Sequence, residues 1–280
     1  MESDASAALI QDLARHVALC RNVRLPGSYR PLNLNAATVG WVRPAIAQRL
    51  LELGTRAEAQ AIVVENGSTL ARAAAVLADE GLSDTRAEPF DIRESPDGPV
   101  LGEVDRGAIP TFGLMAWGVH VNGLVQRAGE RHVWVARRAR NKRLDPSKLD
   151  HVVAGGVPAG LTLEDTLIKE AGEEAGIPPE LAARARRVAT LSYMMDRPEG
   201  LRRDLIACYD LELPESFEPR AVDGEVEAFE LWPLEAALER VARTTDFKFN
   251  VNLVLTDLFL RLGLVPDDQA LRSSLYAPGW

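Results

Sequence analysis

One nine-residue run constrains this chain more than any other: Lys169, Glu170, Ala171, Gly172, Glu173, Glu174, Ala175, Gly176, Ile177. In a helix, residues three and four apart share a face, so Glu170, Glu173 and Glu174 point the same way. Carboxylates so placed repel one another, and a helix carries them either as a solvated face or as ligands to a hard divalent cation. For an isolated triplet the solvated face is the commoner outcome. Here Leu163, Leu167, Ala171 and Ala175 mark the opposite, core-facing side. A Gly-rich loop with Pro158 and Gly160 leads in, and Gly176 stands where a helix would close.

The rest of the chain supplies a setting for that device. With 46% hydrophobic residues among 280, there is apolar material for two modest cores. The expected division falls near Asp105-Arg106-Gly107, giving an N-terminal α+β accessory domain over 1–108 and a second domain over 109–280. A net charge of -9 argues against a nucleic acid polymer as partner, since phosphate-backbone binding needs a broad basic surface. The partner expected is instead a small anionic molecule, held by a metal and local Arg or Lys. The two cysteines, Cys20 and Cys208, make no disulfide framework, and the acidic start differs from a basic signal peptide. Both features give a cytoplasmic expectation. No membrane span is expected, because the most apolar late stretch, 253–264, is interrupted by Asp257 and Arg261. The four histidines show no i, i+4 pair, which disfavours a zinc site.

Helical spacing is read over 9–20, from Pro44 to Gly54, and from Ser68 to Gly81. Extended segments are expected at 39–42, 89–92 and 100–104. Beyond Ile109, strands are expected at 117–125, 133–136, 187–194, 203–213 and 225–232, with helices at 234–241 and 252–262.

The acidic run also resembles the Nudix hydrolase signature, a Gly, five residues, Glu, seven residues, then Arg-Glu-aliphatic-x-Glu-Glu-x-Gly-aliphatic. Glu170, Glu173, Glu174, Gly176 and Ile177 match, with Lys169 in place of the Arg and Ala171 in place of a larger aliphatic. Counting back puts Gly155 on the leading Gly and Leu161 where the first Glu is expected; sliding by one puts Gly156 there, and no acid appears either way. Further phrases, Val39-Gly40-Trp41-Val42-Arg43-Pro44, Gly118-Val119-His120-Val121-Asn122-Gly123, Val133-Trp134-Val135-Ala136-Arg137-Arg138 and Asp223-Gly224-Glu225-Val226-Glu227, resemble a Nudix subfamily related to thiamine pyrophosphokinase that carries an extra N-terminal domain. The resemblance spans roughly 39–265 and implies an α/β/α sandwich around a mixed sheet, an α/β (α+β) class fold.

The resemblance implies that Glu170, Glu173 and Glu174, with a backbone carbonyl of Gly155 or Gly156, hold Mg²⁺ or Mn²⁺. Lys169, four residues before Glu173, is placed to orient that carboxylate as a point charge. Glu225 or Glu227 is expected to supply a general base, Glu225 preferred because it adjoins Gly224. Arg137, Arg138, Lys148 and Tyr193 are candidates for substrate contact. The activity implied is metal-dependent cleavage of an organic diphosphate to a monophosphate and phosphate, with thiamine diphosphate or its oxidised analogues as substrates. The alternatives are ADP-ribose, dinucleotide or nucleoside triphosphate hydrolysis, or a non-catalytic Nudix-fold binding module. The oligomeric state stays open, a homodimer included.

Overall fold

The computed structural model describes residues 2–280. The chain runs α1 (Glu2–Leu19), β1 (Arg30–Leu34), β2 (Ala37–Val42), α2 (Pro44–Glu52), β3 (Arg56–Glu58), β4 (Ala61–Val64), α3 (Gly67–Asp79), β5 (Pro89–Ile92), β6 (Gly102–Asp105) and α4 (Ile109–Phe112). It continues β7 (Met115–Arg127), β8 (Glu130–Arg138), β9 (Leu149–His151), β10 (Val153–Gly156), α5 (Leu163–Ala175), α6 (Pro179–Ala182), β11 (Arg186–Arg197), β12 (Gly200–Glu212), β13 (Val226–Pro233), α7 (Leu234–Arg243), α8 (Val251–Arg261) and α9 (Gln269–Tyr276).

The first unit is a four-stranded sheet ordered β2-β1-β4-β3 with α2 and α3 packed on it. α2 starts at Pro44 as the sequence predicts, whereas α3 starts at Gly67, just before the Ser68 expected to lead it in. Pro44 sits in the first turn of α2, where its missing N–H costs nothing, and the Asn66 side chain caps α3 by accepting from Thr69 N at 2.9 Å. Leu32, Val39, Leu50, Ile62, Leu70 and Leu77 fill the core between them.

The larger sheet is mixed. Its main order is β11-β12-β7-β8-β13, with β10 paired to β7 and β9 to β8; β12 and β7 run parallel. One face packs against α5 and α6 through Val119, Val121, Leu167, Ala171 and Ala175. The other face packs against α1, α7, α8 and α9 through Leu13, Val17, Ile206, Val241, Leu258 and Phe259. Helices thus cover both faces, which is the α/β/α arrangement expected.

Three expectations change. The helix read over 9–20 is α1, and its packing is with α7, α8 and α9, although the division near 108 groups it in chain order with the first unit. The Gly-rich approach to the acidic helix is in part a strand: Gly155 and Gly156 lie in β10, whose backbone hydrogen bonds need no side chain. A strand over 225–232 would put Glu225 and Glu227 on one face. Glu225 lies just before β13, and a bulge between Val226 and Ala228 breaks the alternation.

The two units meet along a seam. Gly113, in left-handed backbone at φ 56°, lets the chain pass against Trp41, and its carbonyl accepts from the buried Arg203 at 3.2 Å. Arg43 of the first unit pairs with Asp196 of β11.

Candidate active site

β10 and α5 build the acidic edge. Thr162 caps α5 in a reciprocal box with Asp165, Gly176 ends it in left-handed backbone, and Leu167, Ala171 and Ala175 anchor it to the sheet. That anchoring aims Glu170 and Glu174 at the backbone of β10. Glu170 lies so close to Gly155 that a Cβ there would sit 2.5 Å from its Cγ and Cδ. Glu174 is 7% exposed and accepts from Ala154 N at 2.8 Å. Burial pushes the Glu174 carboxyl up to about 8, and the Glu170 carboxyl upward as well. Glu173 turns outward instead, where Lys169 reaches it at 2.5 Å and Glu170 at 3.2 Å.

A cleft of about 570 Å³ opens beside this edge. Both units line it. Arg86, Phe90 and Arg106 come from the first, while Trp117, His120, Gly155, Gly156, Glu170, Glu225 and Lys248 come from the second. Arg106 lies over the Phe90 ring at 5.4 Å and bonds Glu88 at 2.7 Å; Gly156 leaves the space that both occupy. Across the chain the net charge is -9, yet the cleft carries eight Lys and Arg against five Asp and Glu. Such a wall attracts an anionic ligand and focuses its approach.

The expected residues separate. Gly155, Gly156, Glu170, Glu225 and Arg138 reach the cleft wall. Burial works to raise the Glu225 carboxyl, but its hydrogen bond from Lys142 outweighs that and holds it low. Glu227 instead accepts from Arg140 N at 3.1 Å. Arg138 is tied down: it donates to Asp150 at 2.7 Å, to Leu144 O at 2.8 Å and to Asp145 O at 3.1 Å. Arg137 is directed to Glu230, 3.8 Å away, and Lys148 donates to Thr245 O. Tyr193 is fully buried, with its hydroxyl on Asp204 and its ring edge on Phe249. These last three lie off the cleft wall.

Sequence reasoning missed the floor. His120 and His151, 31 positions apart, meet with their Nδ1 atoms at 2.9 Å, because β9 runs directly into β10, the strand that pairs with β7. Asp150 completes the group, and among the described residues this is the His/Cys/Asp/Glu set with three ligand atoms within 4.8 Å. The scattered histidines gave no i, i+4 signal, since a sheet and not a helix brings them together. Burial holds His151 down at about 4 and His120 well below its ordinary value. For Asp150, burial works upward, but Lys248 and Arg138 outweigh it and keep the carboxylate ionised. The cations already beside Asp150 oppose a dication there.

The acidic edge fits a divalent cation better. Glu170 and Glu174 are carboxylates whose ionised form burial disfavours, and both lie against the backbone of β10; hard oxygen donors of this kind suit Mg²⁺ or Mn²⁺.

Residues 117–253 match the family profile described as NUDIX domain. The chain is 39% identical over 202 residues to Nudix hydrolase 20, chloroplastic, of Arabidopsis thaliana, covering 72% of this chain and 54% of that protein. To Nudix hydrolase 24, chloroplastic, of the same plant it is 38% identical over 213 residues, covering 76% and 58%. The chain therefore spans little more than half the length of these relatives. Among solved structures, a Deinococcus radiodurans protein aligns over 61% of this chain and 98% of its own at 22% identity and TM-score 0.47. The NUDIX domain of Shewanella oneidensis NrtR, cocrystallised with ADP ribose, aligns over 54% and 90% at 14% identity and TM-score 0.44. Both plant relatives are chloroplastic, which overturns the cytoplasmic expectation. Cysteine count and the charge of the first residues report thiol state and local electrostatics, and neither encodes a compartment.

Proposed function

With a Nudix domain over residues 117–253 and a further N-terminal region ahead of it as the premise, we propose that this chain is a metal-dependent pyrophosphohydrolase. It cleaves an organic diphosphate to a monophosphate and phosphate. The observation that carries the reading is the pair Glu170 and Glu174, aimed at β10 on the edge of a cation-rich cleft.

Glu170 and Glu174, with Glu173 and a backbone carbonyl of Gly155 or Gly156, would hold Mg²⁺ or Mn²⁺. A metal so bound supplies Lewis-acid polarisation of the phosphoryl oxygens and a more acidic water. The chain's own residues do the rest. Glu225, ionised beside Lys142 on the cleft wall, is placed to accept a proton. Arg106 and Lys142 meet the spreading phosphoryl charge.

The organic group lies against Phe90 and Trp117, so the N-terminal region contributes to choosing it. Thiamine-type diphosphates are the substrates we favour, and the cation surplus favours their oxidised, uncharged-ring analogues over the thiazolium itself. Product identification with Mg²⁺ or Mn²⁺ tests this on a panel of thiamine diphosphate, its oxo and oxy analogues, ADP-ribose, dinucleotides and nucleoside triphosphates, each beside Glu174→Gln. Conversion of the thiamine-type diphosphates, lost in the variant, is expected. Turnover of nucleotides alone would overturn the substrate class, and turnover of nothing would overturn the hydrolase reading.

A further inference from the structure

Most cations on the cleft wall already have an acid: Lys142 has Glu225, Arg143 has Asp84, Arg106 has Glu88, and Arg202 has Asp204. Lys248 differs. It is 9% exposed, lies on the cleft wall, and its ammonium makes no hydrogen bond among the described residues. Its ion pair is with Asp150 at 3.7 Å, outside hydrogen-bond reach, because Arg138 takes the same Asp150 oxygen at 2.7 Å. A buried ammonium without an acceptor costs free energy that a bound anion would offset.

His120 stands beside it. A neutral imidazole has one N–H, so one of the facing Nδ1 atoms donates and the other accepts. Were His120 the donor, the sealed Nε2 of His151, which has no partner among the described residues, would carry an N–H with no acceptor. The reverse leaves that nitrogen a bare lone pair, since orphaned buried N–H groups are the rarer kind. His120 then carries its proton on Nε2, which makes no hydrogen bond among the described residues, and His120 lines the cleft. Asn250, two positions after Lys248, lies on the same wall.

The position fixes what such a pair is for. His120 is the ladder partner of Ala154, the residue whose N–H holds Glu174, so the floor adjoins the acidic edge across one strand. We infer that Lys248 and His120 form an oxyanion subsite that holds one phosphoryl group of the substrate while the other lies at the Glu170 edge. The inference rests on the diphosphate reading above. Lys248 acts as a compact point charge and His120 as a neutral donor, a combination that suits phosphoryl oxygens. Burial lowers the Lys248 ammonium from its ordinary value, although Asp150 opposes this, consistent with a charge the protein alone satisfies poorly.

The test is isothermal titration of the full chain in EDTA with inorganic pyrophosphate. We expect the native chain to bind, Lys248→Met to bind at least tenfold more weakly, and Glu170→Gln to bind no more weakly than native. Equal affinity in Lys248→Met overturns the subsite. The native chain gives a second readout should that variant not fold: pyrophosphate should protect Lys248 from acetylation, measured by peptide mass spectrometry, and no protection overturns the subsite. Malonate separates oxyanion classes, and Lys248-dependent binding tighter than that of pyrophosphate would overturn the phosphoryl assignment. None of these readouts needs turnover. Failure of the substrate panel with Lys248-dependent binding intact would sink the hydrolase reading and leave the subsite.

Discussion

The two sides of the cleft differ in how they were built and in what charge they carry. At the α5 edge, one helical turn delivers Glu170 and Glu174, carboxylates whose ionised form burial resists. At the floor, four separate segments deliver His120, Arg138, Asp150 and Lys248, and the ammonium of Lys248 is left without a close acceptor among the described residues. One side favours a cation and the other an anion. The metal and diphosphate proposed above would together carry both charges.

The sharpest way to break that contrast is Glu174→Gln, which keeps the shape of the helix. Turnover should fall by at least about a hundredfold, the scale of several kcal/mol of lost transition-state stabilisation. Mg²⁺ should raise the melting temperature of the native chain and not that of the variant. A variant with full activity and the same Mg²⁺ response would remove the cation from the α5 edge.

The floor is probed by pH. His151 is held at about 4 when folded, against 6.5 as its ordinary value, so between these the unfolded chain binds the extra proton. Stability contributed by the neutral His is therefore complete above about 6.5 and falls as pH drops toward 4, by on the order of 3 kcal/mol. His120 acts in the same direction. Urea melts across this range should show the slope, and His151→Gln should flatten it; an unchanged slope would mean the pair does not stay buried and neutral.

Gly155→Ala tests the packing that joins β10 to the acidic edge. Its new Cβ meets Glu170 at 2.5 Å, so Glu170 must move, and we expect about tenfold lower activity with a cost of roughly 1–3 kcal/mol in stability. Activity unchanged would show that Glu170 works from another rotamer. The smallest effect is expected for Lys169→Arg. Lys169 pairs with Glu173 on the outer side of the helix at 2.5 Å, and an Arg fork should hold that carboxylate as well or better, leaving activity within about twofold. A large loss would show that Lys169 touches substrate.

Much of the fold was legible because local rules decided it. Pro44 and Gly176 sit at helix ends for reasons of backbone geometry that need no tertiary information, and the apolar spacing of α5 fixed which side faces the sheet, while the caps Asn66 and Thr162 emerge only from the structure. The short strands β1, β3, β4 and β9 were not read, since few residues carry too little periodicity. β10 was hidden by its own glycines, which signal a loop locally but here let the backbone lie beside Glu170 and Arg106. Arg138 looked like a free cation next to a Gly-rich turn; Asp150, which binds it, is far less telling in sequence than in space. Tyr193 fell in an alternating strand whose inward face could not be told from its cleft-facing one.

By itself the sequence determined the acidic helix, its closing Gly176 and its core stripe, because contacts three and four residues apart are set by helical geometry. It also carried a resemblance that pointed to a diphosphate. Only the tertiary structure decided that the N-terminal unit walls the cleft, that α1 packs with the last three helices, and that His120, Asp150 and Lys248 share one floor. Those groupings depend on which strands pair and which faces close, and pairing between distant segments leaves no periodicity in a single chain to read.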